Sequence, residues 1–281
     1  MMSETPARAF LLGAQKSGTT TLAELLARHP DIAVSEPKEP QYYWTQYAKG
    51  RGWFDACFPA IGDVQLDAST SYTMAHPEHL DGRETWPVPA RLHADFPEAR
   101  FLYIVRDPAA RAISAYWHEA RAGREARDID EAISEDSQYV ATSRYAAQIG
   151  EFLKLFPRER FFFIPFADLK TRGVETARAA AAHLGVDPDR LEDEPTRAAN
   201  SSYQFSAAGR LARAALGGEA GMQKVAAFAK RVLPGSVQSM VKSALTEPTP
   251  KASDALIERL RSWLKDDADA FADIAGFQVM E

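Results

Sequence analysis

A segment rich in glycine and hydroxyl residues near the start of the chain has the composition of a loop that binds an anion. It runs from Gly13 to Thr21, between an apolar run predicted to be a strand and an amphipathic run predicted to be a helix. In such a loop the backbone N–H groups and the positive end of the helix converge on one point. The sequence therefore predicts a site for a phosphate-like group at this junction.

The position of the lysine separates this loop from the one that binds nucleoside triphosphates. That loop has the spacing G-x-x-x-x-G-K-[ST], with the lysine directly after the second glycine. Here Gly13 and Gly18 keep the glycine spacing, but Thr19 stands at the lysine position and Lys16 lies inside the loop. From there Lys16 can reach a phosphate and its bridging oxygen without a metal ion that clamps a triphosphate. A capped, hydroxyl-rich helix start with one solvated lysine is the alternative.

Two motifs resemble those of the PAPS-dependent sulfotransferase superfamily, where PAPS is 3′-phosphoadenosine 5′-phosphosulfate. Gln15 to Thr20 resembles the loop that holds the 5′-phosphosulfate, and Tyr103 to Tyr116 resembles the second motif of the family. The chain is similar over residues 9–205, above all to bacterial members and to the sulfotransferase domain of the heparan sulfate N-deacetylase/N-sulfotransferases. The resemblance implies transfer of a sulfuryl group from PAPS to a hydroxyl or amine of a small-molecule or saccharide-like acceptor, with 3′,5′-phosphoadenosine as product.

The resemblance also implies which residues bind PAPS. Arg106 and Ser114 would hold the 3′-phosphate, and a late loop with Ser201 and Tyr203 would cover this phosphate and the adenine. The planar fork of an arginine at a strand end suits phosphate oxygens, although an ion pair with a neighbouring carboxylate is the alternative. Tyr203 is equally compatible with a core or surface position. In the first loop the implied donor-binding residues are Gln15, Lys16, Ser17, Gly18, Thr19, Thr20 and Thr21.

A carboxylate that could act as a general base follows the second predicted strand. Ser35 to Trp44 resembles the Lys-Glu-Pro-His-Phe-Phe pattern of the family, which places Glu39 at the catalytic glutamate. Sulfuryl transfer needs a base for the acceptor proton and a cation for the leaving phosphate. The resemblance implies that Glu39 and Lys16 have these roles. Gln41 replaces the histidine of the pattern, which favours Glu39 acting alone, and a solvated loop charge is the alternative for Glu39.

The identity of the acceptor is not specified by the sequence. Leu66 to Tyr72 resembles the Glu-Lys-Thr-Pro-Ala-Tyr segment that lines the acceptor pocket in this family. Ala68 stands where the heparan enzymes have a basic residue, which weakens the expectation of a polyanionic glycan. If Glu39 is not the base, Asp67 and His118 are the next candidates.

Predicted strands and helices alternate along the chain, and these elements must position the motifs. The alternation predicts an α/β fold, a P-loop-like three-layer sandwich with a central parallel sheet and helices on both faces. In such a fold ligands bind at the carboxyl ends of the strands, where the motifs lie. The predicted strands are 8–14, 32–34, 101–105 and 160–165, and the predicted helices are 19–28, 109–121, 145–156, 174–184 and 254–275.

We expect residues 1–281 to form a single sulfotransferase-like domain, within which 206–250 is a variable helical insertion or cap. This stretch mixes basic and apolar residues. It could cap the acceptor pocket, meet a lipid headgroup, or form an ordinary packed helical hairpin with a solvated face.

Composition narrows the function classes and the cellular compartment. The net charge of −6 argues against a protein that binds nucleic acid. The sequence holds no run of about eighteen apolar residues and no signal-peptide core in its first stretch, so we expect no integral membrane association. Cys57, the only cysteine, lies among aromatic residues as a packed core thiol would, which fits a reducing compartment and predicts a cytoplasmic protein.

Two other classes of protein remain alternatives. One is a P-loop-type kinase or nucleoside triphosphatase, against which the displaced lysine argues, together with the lack of a convincing pair of Mg²⁺ ligands. The other is a non-catalytic nucleotide-binding protein, which a solvent-facing Glu39 would favour. The histidines do not cluster, and we expect a site without a metal ion.

Overall fold

A parallel five-stranded sheet lies at the centre of the molecule. The computed structural model describes residues 6–58, 62–79, 85–192, 203–217 and 244–280, together with positions 221, 225, 228, 237, 240 and 241. The strand order is β2-β3-β1-β4-β5, and every neighbouring pair is parallel. The strands are β1 (Ala7–Gly13), β2 (Ile32–Val34), β3 (Val64–Asp67), β4 (Arg100–Val105) and β5 (Phe161–Pro165). The predicted central parallel sheet is therefore confirmed.

The central strands are apolar on both faces, which is why the sequence shows them as continuous apolar runs. In β1, Phe10 faces one side of the sheet and Leu11 the other, and both are fully buried. Parallel strands covered by helices on both faces require this pattern. β3 was not predicted as a strand, because Gln65 and Asp67 interrupt its short apolar pattern. It nevertheless lies between β2 and β1, and its carboxyl end brings Asp67 to the same edge as the loop after β1.

Helices cover both faces of the sheet, as predicted for a three-layer sandwich. The described α-helices include α1 (Thr19–Leu26), α2 (Arg51–Asp55), α3 (Val88–Asp95), α4 (Pro108–Ala122), α5 (Ile129–Ala132), α6 (Gln138–Ala141), α7 (Tyr145–Leu153), α8 (Phe166–Thr171), α9 (Gly173–Leu184), α10 (Ala207–Ala215) and α11 (Asp254–Ala275). α1 and α9 pack on one face over Leu11 and Leu102. α7 and α11 pack on the other face, where Phe101 and Phe271 belong to an aromatic core.

α4, which follows β4 directly, begins with a complete set of capping features. Pro108 occupies its first turn, and the Asp107 carboxylate accepts a hydrogen bond of 2.6 Å from the Ala110 N–H. Gly123 ends the helix in the left-handed conformation, with φ of 71°. These residues favour a helix between Asp107 and Gly123. The start of α4 is consequently held next to Arg106, at the carboxyl end of β4.

Cys57 is buried among aromatic side chains, as its sequence neighbours predicted. Burial raises the pKa of its thiol, so the cysteine is not activated as a nucleophile. In the part of the chain that the structure describes, no helix has both the length and the apolar character needed to cross a membrane.

A second, two-stranded sheet lies apart from the main sheet. Its strands, β6 (Tyr203–Phe205) and β7 (Thr246–Pro248), pair in the antiparallel sense. Most of the predicted insertion 206–250 falls between them, and α10 follows β6 directly. Whether this stretch is variable stays a prediction.

Candidate active site

The loop between β1 and α1 has a backbone that only particular residues can adopt. Gly13 has φ of 151° and Gly18 has φ of 88°. A Cβ atom would lie 2.6 Å from the Thr73 hydroxyl oxygen if added at Gly13, and 2.9 Å from the Phe166 ring if added at Gly18. Lys16 adopts φ of 70°, a conformation that is uncommon for residues other than glycine. The unusual backbone at Lys16 is typical of functional loops.

This loop is oriented for an anion by the start of α1 and by a buried hydroxyl. The first intrahelical bond runs from the Leu22 N–H to the Gly18 carbonyl, so the N–H groups of the preceding turn have no helical acceptor. The Ser17 Oγ is fully buried and makes no hydrogen bond to any described residue. Free N–H donors and a buried unsatisfied hydroxyl beside them suit the oxygens of a phosphate-like group.

Positively charged side chains lie close together at the loop between β1 and α1 and are partly buried. Burial lowers the pKa of Lys16, and the neighbouring charges of Arg121 and Arg106 lower it further. The Arg106 guanidinium donates to the Lys16 carbonyl at 3.3 Å, and burial also lowers the pKa of Arg106. Cations held close together in a partly buried position favour the binding of an anion between them.

Within the described residues, Arg106 does not form the ion pair with a neighbouring carboxylate that was the alternative to phosphate binding. Among the described residues no carboxylate lies within ion-pair distance of Arg106. Asp107 is engaged in capping α4, and Glu119 pairs with Arg124 at 2.6 Å. The Arg106 side chain therefore keeps hydrogen-bonding capacity toward a ligand. Ser114, two turns into α4, is half-buried and makes no hydrogen bond within the described ranges.

Two buried residues that sequence reasoning missed support this cationic region. The Tyr145 hydroxyl donates to the Arg106 carbonyl at 3.1 Å. Arg111 is 1% exposed and donates to the Ser143 hydroxyl at 2.7 Å and to the Tyr139 carbonyl at 2.6 Å, with no carboxylate partner among the residues described. The only signal for Arg111 was its place in the second motif, four residues after Asp107. Tyr145 gave no local signal, because its partner lies 39 residues away.

Glu39 is linked to the anion loop between β1 and α1 through Lys38, its neighbour in sequence. The Lys38 Nζ lies 3.0 Å from Glu39 Oε1 and donates to the Thr20 hydroxyl at 3.3 Å. The Thr70 hydroxyl donates to Glu39 Oε2 at 3.2 Å. The Glu39 side chain is 31% exposed, so it is neither buried nor turned freely to solvent. The predicted base and the predicted anion loop thus lie together at the carboxyl edge of the sheet.

Asp67, one of the two reserve candidates for the base, is fully buried. Its Oδ1 accepts from the Ser69 N–H at 2.9 Å, and its Oδ2 accepts from the Tyr72 hydroxyl at 2.7 Å. Burial raises the pKa of Asp67 to about 6. The Ser69 hydroxyl in turn accepts from the Gln41 N–H at 2.9 Å. Asp67 therefore organises the turn next to Glu39 and has no contact surface for an acceptor.

His118, the other reserve candidate, lies on α4 within electrostatic range of Lys16. Burial lowers its pKa, and the positive charge of Lys16 lowers it further, so the imidazole is neutral at pH 7. Its Nδ1 lies 3.3 Å from an Arg121 nitrogen, and its Nε2 lies 4.0 Å from Glu119. A neutral imidazole keeps the chemical capacity to accept a proton.

The remaining predicted positions divide into three groups. Gln15, Thr19 and Thr21 belong to the loop and to the first turn of α1, next to Lys16. Ser201 lies outside the described residues. Tyr203 begins β6, and its side chain lies outside the described part of the structure. In the described part of the chain, no group of three or more His, Cys, Asp or Glu side chains is arranged to hold a metal ion.

Comparisons with known proteins agree on one family. The family model for the sulfotransferase domain matches residues 6–247. Human heparan sulfate glucosamine 3-O-sulfotransferase 6 is 29% identical over 169 residues, which are 56% of this chain and 46% of that protein. Human heparan sulfate glucosamine 3-O-sulfotransferase 3B1 is 33% identical over 109 residues, covering 39% of this chain and 26% of that protein. The chain spans about half the length or less of these curated relatives.

A solved structure shows the same fold. The sulfotransferase from Alicyclobacillus acidocaldarius superposes with a TM-score of 0.61, covering 98% of this chain and 97% of that chain. Sequence identity in this superposition is 20%, so the likeness concerns the fold.

Proposed function

Because this chain belongs to the sulfotransferase family, we propose that it transfers a sulfuryl group from PAPS to a hydroxyl or amine of an acceptor. In this proposal Glu39 is the general base and Lys16 stabilises the leaving phosphate. The observation that carries the proposal is the contact of Lys38 with both Glu39 and Thr20, at 3.0 Å and 3.3 Å. Through Lys38 it places a carboxylate next to the anion loop, as a transfer between two bound groups requires.

The residues at the loop fit the donor. The free N–H groups of α1, the unsatisfied Ser17 hydroxyl and Lys16 would hold the 5′-phosphosulfate end. Arg106 and Ser114 would hold the 3′-phosphate, since neither has a carboxylate partner among the described residues. PAPS supplies an activated sulfuryl group on a phosphate leaving group, so no phosphoryl chemistry is needed.

Glu39 would accept the proton of the attacking hydroxyl or amine. Lys38 and Thr70 each contact one of its carboxylate oxygens, and a carboxylate oxygen has two lone pairs. Each oxygen therefore keeps capacity for an acceptor proton while the carboxylate is held in one orientation. Lys16, partly desolvated, places its charge where negative charge develops on the leaving phosphate.

The acceptor is proposed at the level of chemical class. The curated relatives are named for heparan sulfate glucosamine, which supports a saccharide acceptor. Ala68 is buried and offers no basic side chain for a polyanionic chain, which supports a smaller or less charged acceptor. Both classes stay within the proposal, and an acceptor screen with labelled PAPS decides between phenols, sugars, amines and lipids.

Binding of 3′,5′-phosphoadenosine tests the donor half of the proposal. We expect it to raise the unfolding temperature with or without a chelator, because the cations are supplied by the protein. At 100 times its Kd a ligand stabilises the folded state by about 2.7 kcal/mol. Loss of binding on chelation, or stabilisation by ATP with Mg²⁺ alone, would instead favour a kinase or nucleoside triphosphatase.

The Arg106→Ala variant tests the assignment of the 3′-phosphate site. It should weaken PAPS far more than adenosine 5′-phosphosulfate, which lacks the 3′-phosphate, since a lost charge-assisted bond costs roughly 1.5–3 kcal/mol. Arg259→Ala is the matched control, because Arg259 pairs with Asp130 on the surface. Equal losses for both nucleotides would show that Arg106 has a structural role only.

A further inference from the structure

Lys38 lies in the loop after β2, and its main chain is held in place by two buried residues. Its carbonyl accepts from the Ser35 hydroxyl at 3.0 Å and from the Ala68 N–H at 3.3 Å. Ser35 directly follows β2 and Ala68 directly follows β3, and both are buried. The backbone of Lys38 is therefore fixed at the carboxyl edge of the sheet.

The Lys38 ammonium group has capacity for one more partner. Its Nζ lies 3.0 Å from Glu39 Oε1 and donates to the Thr20 hydroxyl at 3.3 Å, and these are its two partners among the described residues. An ammonium group has three N–H donors. The Lys38 side chain is 29% exposed, so it is partly removed from water. The third donor is thus available to an anion that binds next to Glu39 and Thr20.

Thr20 places this ammonium group beside the start of α1. It is the second residue of the helix, so its own N–H is among those without an acceptor inside the helix. An anion at the start of α1 would accept from these N–H groups. The cation that contacts the Thr20 side chain consequently lies next to the position of such an anion.

The other cations of the site lie on the opposite side of the loop between β1 and α1. Arg106 follows β4, and the charges of Arg106 and Arg121 act on Lys16. In the strand order β2-β3-β1-β4-β5, Lys38 belongs to the β2 side of this loop and Arg106 to the β4 side. A donor with two anionic ends would be held from both sides, with Lys38 at the end nearest to Glu39.

We propose that Lys38 is a further residue of the reaction, whose ammonium group donates to a non-bridging oxygen of the sulfuryl group while it holds Glu39. This inference rests on the proposed function. In the transfer, the S–O bond to the phosphate breaks, and the leaving phosphate oxygen keeps the bonding electron pair. The acceptor oxygen or nitrogen forms the new bond to sulfur, and its proton passes to Glu39. Lys38 stays protonated and keeps the sulfuryl group next to the base, whereas Lys16 acts on the leaving oxygen.

A comparison of two nucleotides tests the contact with the sulfuryl group. PAPS carries this group and 3′,5′-phosphoadenosine does not, while both carry the 3′-phosphate. Lys38→Met removes the charge and keeps most of the side-chain length. We expect the variant to bind PAPS at least tenfold more weakly, the effect of a lost charge-assisted hydrogen bond. Its affinity for 3′,5′-phosphoadenosine should stay within a few-fold of the wild type. Isothermal titration calorimetry without an acceptor measures both Kd values.

The same comparison in the Glu39→Gln background separates a direct contact from an effect through the base. A direct contact predicts that Lys38→Met weakens PAPS binding at least tenfold there as well. Lys154→Met is the matched control, because Lys154 pairs with Glu151 at 2.6 Å on the surface, and it should bind both nucleotides as the wild type does. The unfolding temperature checks that each variant is folded.

Three results would overturn the inference. Equal losses for the two nucleotides, or no loss, would show that Lys38 is a loop charge and would leave the proposed function intact. A loss that disappears in the Glu39→Gln background would show that Lys38 acts only through Glu39. Failure of the wild type to bind either nucleotide would overturn the proposed function, and this inference with it.

Discussion

Glu39 is held by two side chains that come from different parts of the fold. Lys38 precedes it in sequence, whereas Thr70 reaches it from the turn after β3. This arrangement restrains the carboxylate without burying it. The consequence is that the charge of Glu39 can be removed with little change to its surroundings.

The Glu39→Gln variant should therefore lose turnover and keep donor binding. Glutamine keeps the size and one acceptor oxygen but cannot take the acceptor proton. We expect turnover to fall by roughly 10²–10⁴, the usual contribution of a positioned base. Affinity for 3′,5′-phosphoadenosine should stay within a few-fold of the wild type. The measurement is single-turnover kinetics with labelled PAPS and an acceptor from the screen, and turnover within about tenfold of the wild type would remove Glu39 from the chemistry.

Asp67 makes the stability of the molecule depend on pH. Burial raises its pKa from 3.8 to about 6, so the folded state holds the proton more tightly than the unfolded chain does. The Asp67 contribution to the free energy of unfolding therefore falls as pH rises from about 4 to about 6, and the loss is complete above about pH 6. One pKa unit corresponds to about 1.4 kcal/mol, which makes the whole loss about 3 kcal/mol.

Asp67→Asn should remove this dependence. Relative to the wild type, the variant should gain about 3 kcal/mol of unfolding free energy between pH 4 and pH 7. Urea unfolding at several pH values measures the difference, and other titrating groups cancel in the comparison. A difference in unfolding free energy between the two proteins that does not change with pH would contradict the raised pKa of Asp67.

At the scale of elements, the junction of β1 with α1 depends on Gly18. This residue caps α1 in the left-handed conformation, and its neighbour Phe166 leaves no room for a Cβ atom. The loop keeps this backbone conformation only if residue 18 can adopt the left-handed conformation and carries no Cβ atom.

Gly18→Ala should consequently disrupt donor binding. The left-handed conformation costs an alanine roughly 1–2 kcal/mol, to which the contact with Phe166 adds. We expect a lower unfolding temperature and at least tenfold weaker binding of 3′,5′-phosphoadenosine. Gly150→Ala is the matched control, since Gly150 lies within α7 with open space around it. Alanine there should stabilise the protein by roughly 0.5–1 kcal/mol and leave binding unchanged. Wild-type binding by Gly18→Ala would show that the loop is not the donor site.

At the scale of the whole molecule, β6 and β7 form a pair outside the five-stranded sheet. β6 and β7 already bring Ser206 and Leu245 together, so a two-residue turn can close the pair.

Replacement of residues 207–244 by Asn-Gly should leave a protein that unfolds cooperatively and binds 3′,5′-phosphoadenosine. Calorimetry measures the first property, and thermal stabilisation by 3′,5′-phosphoadenosine measures the second. Loss of cooperative unfolding would show that residues 207–244 belong to the core.

Local sequence determined the features that depend on neighbouring residues. The apolar runs of β1 and β4, the glycine spacing around Lys16 and the arginine after β4 are short patterns, and the fold has each of them where the sequence placed it. Short patterns suffice because strand burial, helix capping and left-handed turns are decided within a few residues.

Only the tertiary structure decided which distant residues meet. Thr70 contacts Glu39 across 31 positions, and Tyr145 contacts Arg106 across 39. No local pattern encodes such contacts, because they depend on the order of the strands in the sheet. Likewise, the sequence showed that residues 206–250 mix basic and apolar residues, but not whether an apolar side chain such as Leu211 is buried. That depends on whether another element covers the side chain, and Leu211 is exposed.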